Sequence, residues 1–267
     1  MSVVYVTSFS PDLYVASGKN LVESFMTVHR AAFPGDELLI CHEGKIALPR
    51  DDGLMFADLD TDEYLQDWLT ANADIIPDYL GGNAEECRCK GREKRHATHT
   101  HGCHWAWMNR NASRWFRKVA SLRSAVDVGF RCNYLVWLDS DTIFTAPLPE
   151  SYLREQLTRA AMFYFRGHRP AVESGILGLC PANGADTLID ELCVRYESAF
   201  RFDERWDDGY QIAKLVEETK IPTVDLVHPT KYASGKRKTN NVIPTTDIVK
   251  YVSHFKGLHG TKLGIMR

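Results

Sequence analysis

The chain has 267 residues, 44% of them hydrophobic and 25% charged, with a formal net charge of −3. A chain of this size buries roughly 70–75% of the surface its unfolded form exposes, enough for one large core. Its 18 glycines and 11 prolines exclude a collagen-like or low-complexity chain, and its length excludes a peptide-sized disulfide scaffold.

The amino terminus, MSVVYVTSFSPDLYV, carries neither a basic n-region nor a long apolar h-region, and no run reaches 18 apolar residues. The expectation is a cytosolic chain with no signal peptide and no membrane span. Cys41, Cys132, Cys180 and Cys193 sit in apolar surroundings and read as buried thiols in a reduced compartment.

Residues 3–8 (VVYVTS) read as a strand, 18–31 as a helix and 37–43 (ELLICHE) as a second strand, a βαβ opening that argues for a parallel sheet. An amphipathic helix covers 63–72, and a longer one covers 113–128 after a Cys/His-rich segment. The run 134–138 (YLVWL) is continuous and apolar, hence a central strand. Strands at 161–165 and 175–180, helices at 184–200 and 209–219, and a strand at 248–254 complete the reading. The fold class is α/β, a sheet with a parallel opening flanked by helices, with a basic insertion over 81–112.

The central strand ends directly on Asp139-Ser140-Asp141. Open α/β sheets bind ligands at the carboxyl ends of their strands, and paired ionised carboxylates there want a cationic partner. A divalent cation with oxygen ligands supplies it and can bridge a diphosphate; the bland reading is a strand ending in a solvated turn. At the other end, residues 254–262 (HFKGLHGTK) offer an imidazole as a third ligand, glycines that admit phosphate oxygens, and lysines. Here the bland reading is a turn-rich tail.

LVWLDSD followed by TIFTAPLP resembles the metal-binding DxD region of glycosyltransferases of the GT-A fold. HFKGLHGTK is similar to the terminal His-x-x-Gly-x-x-Lys element of glycogenin-like members, with Gly260 where that lysine is expected and Lys262 two residues on. The resemblance implies one GT-A domain over 1–267, built on a Rossmann-like, mixed but mostly parallel sheet flanked by helices: a nucleotide-sugar half over about 1–145, and an acceptor half over about 146–267. It implies that Asp139, Asp141 and His254 hold Mn²⁺ or Mg²⁺ on the diphosphate of a nucleotide sugar, in particular a UDP-sugar. Thr7, Ser8 and Phe9 would then seat the base, Lys118 or Arg123 would face the donor sugar, and Ser140, Gly257, His259 and Lys262 would complete the donor site. Glu173 and the pair Asp207-Asp208 (WDDGYQI) would line the acceptor side and supply the catalytic carboxylate. For Asp207 and Asp208 the bland reading is helix capping.

The segment CRCKGREKRHATHTHGCH offers Cys87, Cys89, His96, His99, His101, Cys103 and His104, more than a tetrahedral Zn²⁺ site needs, at a spacing that matches no known finger. The bland reading is a solvated basic loop. Between Arg88 and Lys118 stand nine basic residues against the single acid Glu93, so this stretch carries +8 and the remainder −11. That excludes a uniformly basic nucleic-acid coat but not a local basic face. Trp105, Trp107 and Trp115 interleave with Arg110, Arg114 and Arg117, stacking platforms beside phosphate-binding cations, and 231–238 (KYASGKRK) adds a second basic stretch. The leading acceptor expectation is therefore DNA carrying a 5-hydroxymethylpyrimidine such as hydroxymethylcytosine. The whole resembles the small glycosyltransferases that accompany pyrimidine-hydroxylating oxygenases in phages. The alternatives are a glycan or protein acceptor, a nucleotidyltransferase, and a zinc-stabilised nucleic-acid-binding module without catalysis.

Overall fold

The computed structural model describes residues 3–75, 111–127, 132–166, 170–227 and 242–255. Its strands are β1 (Val3–Phe9), β2 (Glu37–His42), β3 (Leu54–Asp58), β4 (Tyr134–Leu138), β5 (Thr142–Phe144), β6 (Met162–Phe165), β7 (Glu173–Leu179), β8 (Thr223–Asp225) and β9 (Val252–His254). Seven form one sheet in the order β3-β2-β1-β4-β7-β6-β8, while β5 and β9 pair separately. Only β7 runs against its neighbours, antiparallel to β4 and β6, and the other pairings within the seven-stranded sheet are parallel. The mixed, mostly parallel sheet flanked by helices is thus the expected one. The two proposed halves share it, because β4 pairs with β7.

The helices are α1 (Pro11–Leu13), α2 (Lys19–Ser24), α3 (Glu63–Ala71), α4 (Ala112–Asp127), α5 (Glu150–Leu157), α6 (Ala185–Glu197) and α7 (Asp208–Glu218), with π turns at Tyr14–Gly18 and Phe25–Arg30 flanking α2. Strand alternation sorts the core into two layers. Val4 and Val6 of β1 join Phe116, Val119, Leu188 and Ile212 on one face, where Trp68 stacks on Phe116 at 4.2 Å. Val3 and Tyr5 join Phe25, Phe144, Leu153 and Val252 on the other. Every residue of β4 is buried, as a doubly covered central strand requires.

The structure differs from the reading of the sequence in additional elements and in two boundaries. β3, β5, α5 and the short β8 are additional elements, whose weak period-2 or short apolar patterns gave no strand or helix signal. The expected strand over 248–254 is a 3₁₀ turn (Asp247–Lys250) followed by β9. Ala112, expected at the end of the insertion, is buried as the first residue of α4.

A buried polar lock fixes the segment that follows β5. His29 is fully buried: its Nδ1 accepts from the Leu148 N–H (3.2 Å), so Nε2 carries the proton and donates to Asp36 (3.1 Å). The second Asp36 oxygen accepts from the Val3 N–H at 2.9 Å. One imidazole–carboxylate pair therefore ties the start of β1, the second π turn and the chain after β5.

Candidate active site

β4 delivers Asp139 to the carboxyl edge of the sheet, the edge on which β1, β2 and β3 also end. The Asp139 N–H donates to Gly175 O (2.8 Å), and the chain turns as the Thr142 N–H donates to Asp139 O (3.0 Å). β5 then leaves with Asp141 at its head. β9 pairs with β5 in the register Thr142↔His254, and the Phe255 N–H donates to Asp141 O at 3.0 Å. Asp141 and His254, 113 positions apart in the chain, thereby become neighbours across a two-stranded ribbon.

Asp139, Asp141 and His254 each offer one ligand atom, and these atoms lie within 4.8 Å of one another. His254 Nε2 is 3.1 Å from Asp141 Oδ1 and 3.9 Å from Asp139 Oδ2. Two carboxylates and an imidazole are the donor set a Mn²⁺- or Mg²⁺-type ion accepts, so these residues fit the expected cation. The imidazole is buried, which disfavours its charge, but Asp141 beside it, then Asp139 and Glu173, raise its pKa above the ordinary 6.5. Gly175 makes room for this ring: a Cβ there would lie 2.4 Å from His254 Cε1 and 2.5 Å from Nε2.

Asp139 is held on one side only. Its Oδ1 accepts from Trp137 Nε1 (2.8 Å) and from Lys118 Nζ (3.0 Å), leaving Oδ2 as the atom that faces His254. Lys118, from α4, is 6% exposed, and its ammonium also reaches Ser174 O (2.9 Å), Ser174 Oγ (3.2 Å) and Asp208 Oδ2. Burial disfavours the Lys118 charge, but Asp139 and Asp208 outweigh burial and drive its pKa above the ordinary lysine value. The side chain also lies over the Trp137 ring at 5.1 Å.

Asp207 and Asp208 separate into different duties. Asp207 is the N-cap of α7: its Oδ1 accepts from the Tyr210 N–H (3.2 Å), and Arg205 donates to both of its oxygens at 2.8 and 3.0 Å. Burial raises its pKa while Arg205 pulls it down. Asp208, 3% exposed, accepts from the Gly209 N–H (2.8 Å) through Oδ1 and meets Lys118 through Oδ2. Asp208 is therefore the carboxylate joined through Lys118 to the Asp139–Asp141–His254 cluster, and Asp207 is a cap.

Other expected residues fall differently. The side chains of Thr7 (0% exposed) and Phe9 (3%) point into the sheet's second core layer, because odd-numbered positions of β1 face that layer; of the three expected residues, Ser8 is the partly exposed one. Ser140 bonds Ser17 Oγ across 3.1 Å, linking the acidic turn to the first π turn. Arg123 stacks on the Tyr64 ring (4.0 Å), about 140° round α4 from Lys118 and on a different face of the helix. Glu173 is buried at the start of β7 and contributes to the field at His254.

Within the basic stretch, Arg117 pairs with Glu43 (2.7 Å), Arg114 lies over Trp115 (4.7 Å) and Lys118 is interior. Lys118 therefore drops out of the expected basic face, because its charge is buried between carboxylates. Gly257, His259, Lys262, Trp105, Trp107, the zinc candidates Cys87, Cys89, His96, His99, His101, Cys103 and His104, and the stretch 231–238 lie outside the described residues. Cys41, Cys180 and Cys193 are buried and Cys132 is half-buried, all as free thiols; burial pushes the Cys41 thiol up to about 12. Among the described residues, no helix is long and apolar enough to cross a membrane.

The motif reading missed Trp137, Gly175, Ser174 and Ser17. Trp137 alone carries a signal, standing two residues before Asp139 on the same strand face.

No family model and no curated protein matches the chain. Among solved structures, the chain is similar to mouse xyloside xylosyltransferase 1 in its apo form, at 11% identity over 85% of each chain with a TM-score of 0.48. It is similar to the galactosyltransferase LgtC in complex with donor and acceptor sugar analogues, at 12% identity, 96% of this chain, 87% of that one and a TM-score of 0.48. It is also similar to a glycosyltransferase involved in glycosylation of the major capsid of PBCV-1, at 11% identity, 84% and 82% coverage and a TM-score of 0.42.

Proposed function

We propose that the protein is a metal-dependent glycosyltransferase that moves a sugar from a nucleotide-sugar donor to a hydroxyl acceptor. The observation that carries this reading is the cluster at the end of β4: Asp139, Asp141 and His254 within ligand distance of one another, with Lys118 joining them to the buried carboxylate of Asp208. A cation held by the three ligands would neutralise the donor's diphosphate and make it a better leaving group. Asp139 is prepared for that duty, since Trp137 and Lys118 take one oxygen and turn the other toward the cluster. Asp208 supplies negative charge on the acceptor side, where an oxocarbenium-like carbon needs it as the diphosphate departs. Glu173 and Ser8 are proposed to border the acceptor and the base. The chain is proposed to act as one unit over 1–267, with donor functions before about 145 and acceptor functions after it.

The acceptor expectation of a 5-hydroxymethylpyrimidine in DNA rests on 88–118 and 231–238. Of the described cations there, Arg117 and Lys118 are engaged with carboxylates. A thermal-shift panel of UDP-, GDP- and dTDP-sugars with Mn²⁺ tests the donor class: one nucleotide should stabilise the wild type and none should stabilise Asp139→Ala. Failure of all of them overturns the reading. Transfer assayed on hydroxymethylated DNA and on glycans, with the same donor, then assigns the acceptor.

A further inference from the structure

Lys118 holds more partners than it has protons to share. Its ammonium has three N–H donors and meets four oxygens, those of Asp139, Asp208 and the two of Ser174. A buried cation has thus been placed on a residue whose other oxygen faces a divalent-cation cluster. Lys118 is not needed to aim Asp139, because Trp137 Nε1 donates to the same Oδ1 at 2.8 Å. What remains is its charge. A positive charge fixed against one ligand repels a bare divalent ion and attracts an anion arriving with it. Asp208 moderates that charge by pairing with the same ammonium.

We propose that Lys118 sets the order of loading: it weakens binding of the bare divalent cation, so that the ion enters with the donor's diphosphate, and Asp208 trims the strength of this bias. The inference rests on the cation-site reading of Asp139, Asp141 and His254, and it deepens that reading from occupancy to selectivity. Lys118 is a charge-setting residue here, acting through Asp139.

Calorimetric titration of Mn²⁺, alone and with saturating inorganic diphosphate, tests it on the full chain without any sugar transfer. Lys118→Met should bind bare Mn²⁺ about tenfold or more tightly, about 1.4 kcal/mol or more, and diphosphate should then enhance Mn²⁺ binding by a correspondingly smaller factor. Asp208→Asn should weaken bare Mn²⁺, and the double variant Lys118→Met/Asp208→Asn should fall between wild type and Lys118→Met, since Asp208 offsets only part of the charge that Lys118 sets against Asp139. The double variant also guards against misfolding of Lys118→Met, in which Asp208 is left buried with its cationic partner gone.

A merely structural Lys118 predicts weaker Mn²⁺ binding in both single variants and no change in the diphosphate enhancement. That pattern overturns the proposal, as does Mn²⁺ failing to bind wild type with or without diphosphate. Absence of glycosyl transfer with every donor, alongside the expected titrations, would refute the proposed function and leave this inference standing.

Discussion

Replacing Gly175 by alanine puts a methyl group against the imidazole of His254. The added carbon would lie 2.4 Å from Cε1 and 2.5 Å from Nε2, whereas carbon contacts settle near 3.5–4.0 Å, so the two must separate by about 1 Å. Neither side retreats easily. Gly175 O accepts from the Asp139 N–H, β7 is buried throughout, and His254 is paired to β5. Overpacking of this kind costs about 1–3 kcal/mol, a fall of roughly 2–10 °C in melting temperature for a chain of this size.

The larger effect falls on the cation. Metal–nitrogen distances tolerate about 0.2 Å, so an imidazole displaced by about 1 Å loses its place, and Mn²⁺ affinity should drop by about 10–100-fold, the range seen when a ligand's support is removed. Gly178→Ala, on the same strand as Gly175, is the control: its Cβ would meet the ring of Phe163 on the neighbouring strand β6, not His254. Thermal melting with and without Mn²⁺, and calorimetric Mn²⁺ titration, separate the two. Equal stability losses with unchanged Mn²⁺ affinity in Gly175→Ala would refute the view that His254 is a ligand seated by that glycine.

Asp208→Asn should cut turnover by about 10²–10³-fold, with KM for the donor little changed. Asp207→Ala should instead lower stability by about 1 kcal/mol through the lost cap and keep measurable turnover; the opposite assignment of losses would reverse the two roles. His254 sets a pH dependence. Because its folded pKa is raised above 6.5 by Asp141, the metal-free protein gains stability from the charged imidazole that is complete below about pH 6.5 and is lost as pH climbs through the raised value. Mn²⁺ requires the neutral ring, so Mn²⁺-induced stabilisation should grow across the same window, and melting curves from pH 6 to 9 showing a flat or shrinking Mn²⁺ effect would contradict this. His29→Ala strands a buried Asp36 oxygen and the Leu148 N–H; at about 1–3 kcal/mol for each orphaned group, chemical denaturation should show a loss of several kcal/mol, and a loss below 1 kcal/mol would remove the lock from the account.

Periodicity along the chain was enough for the central strand 134–138, the parallel opening of the sheet and the amphipathic helices, because a buried strand needs a continuous apolar run and a helix a 3.6-residue stripe. It was not enough for β3, whose exposed residues interrupt the pattern, or for the division of labour between Asp207 and Asp208. Two adjacent acids at a helix start look alike until Arg205 claims one and Lys118 the other.

Local chemistry in the sequence settled which residue types stand where charge is handled: acids after an apolar strand, and a histidine near the far end of the chain. Tertiary structure alone decided their company. The pairing of β5 with β9 brings His254 to Asp139 and Asp141, the absence of a side chain at Gly175 admits its ring, and the packing of α4 buries a lysine counted at first among the cations of a basic face. The physical reason is that a carboxylate, an imidazole or an ammonium takes its role from the charges, donors and free volume within a few ångströms. Neighbours at that range are set by folding across more than a hundred residues of chain.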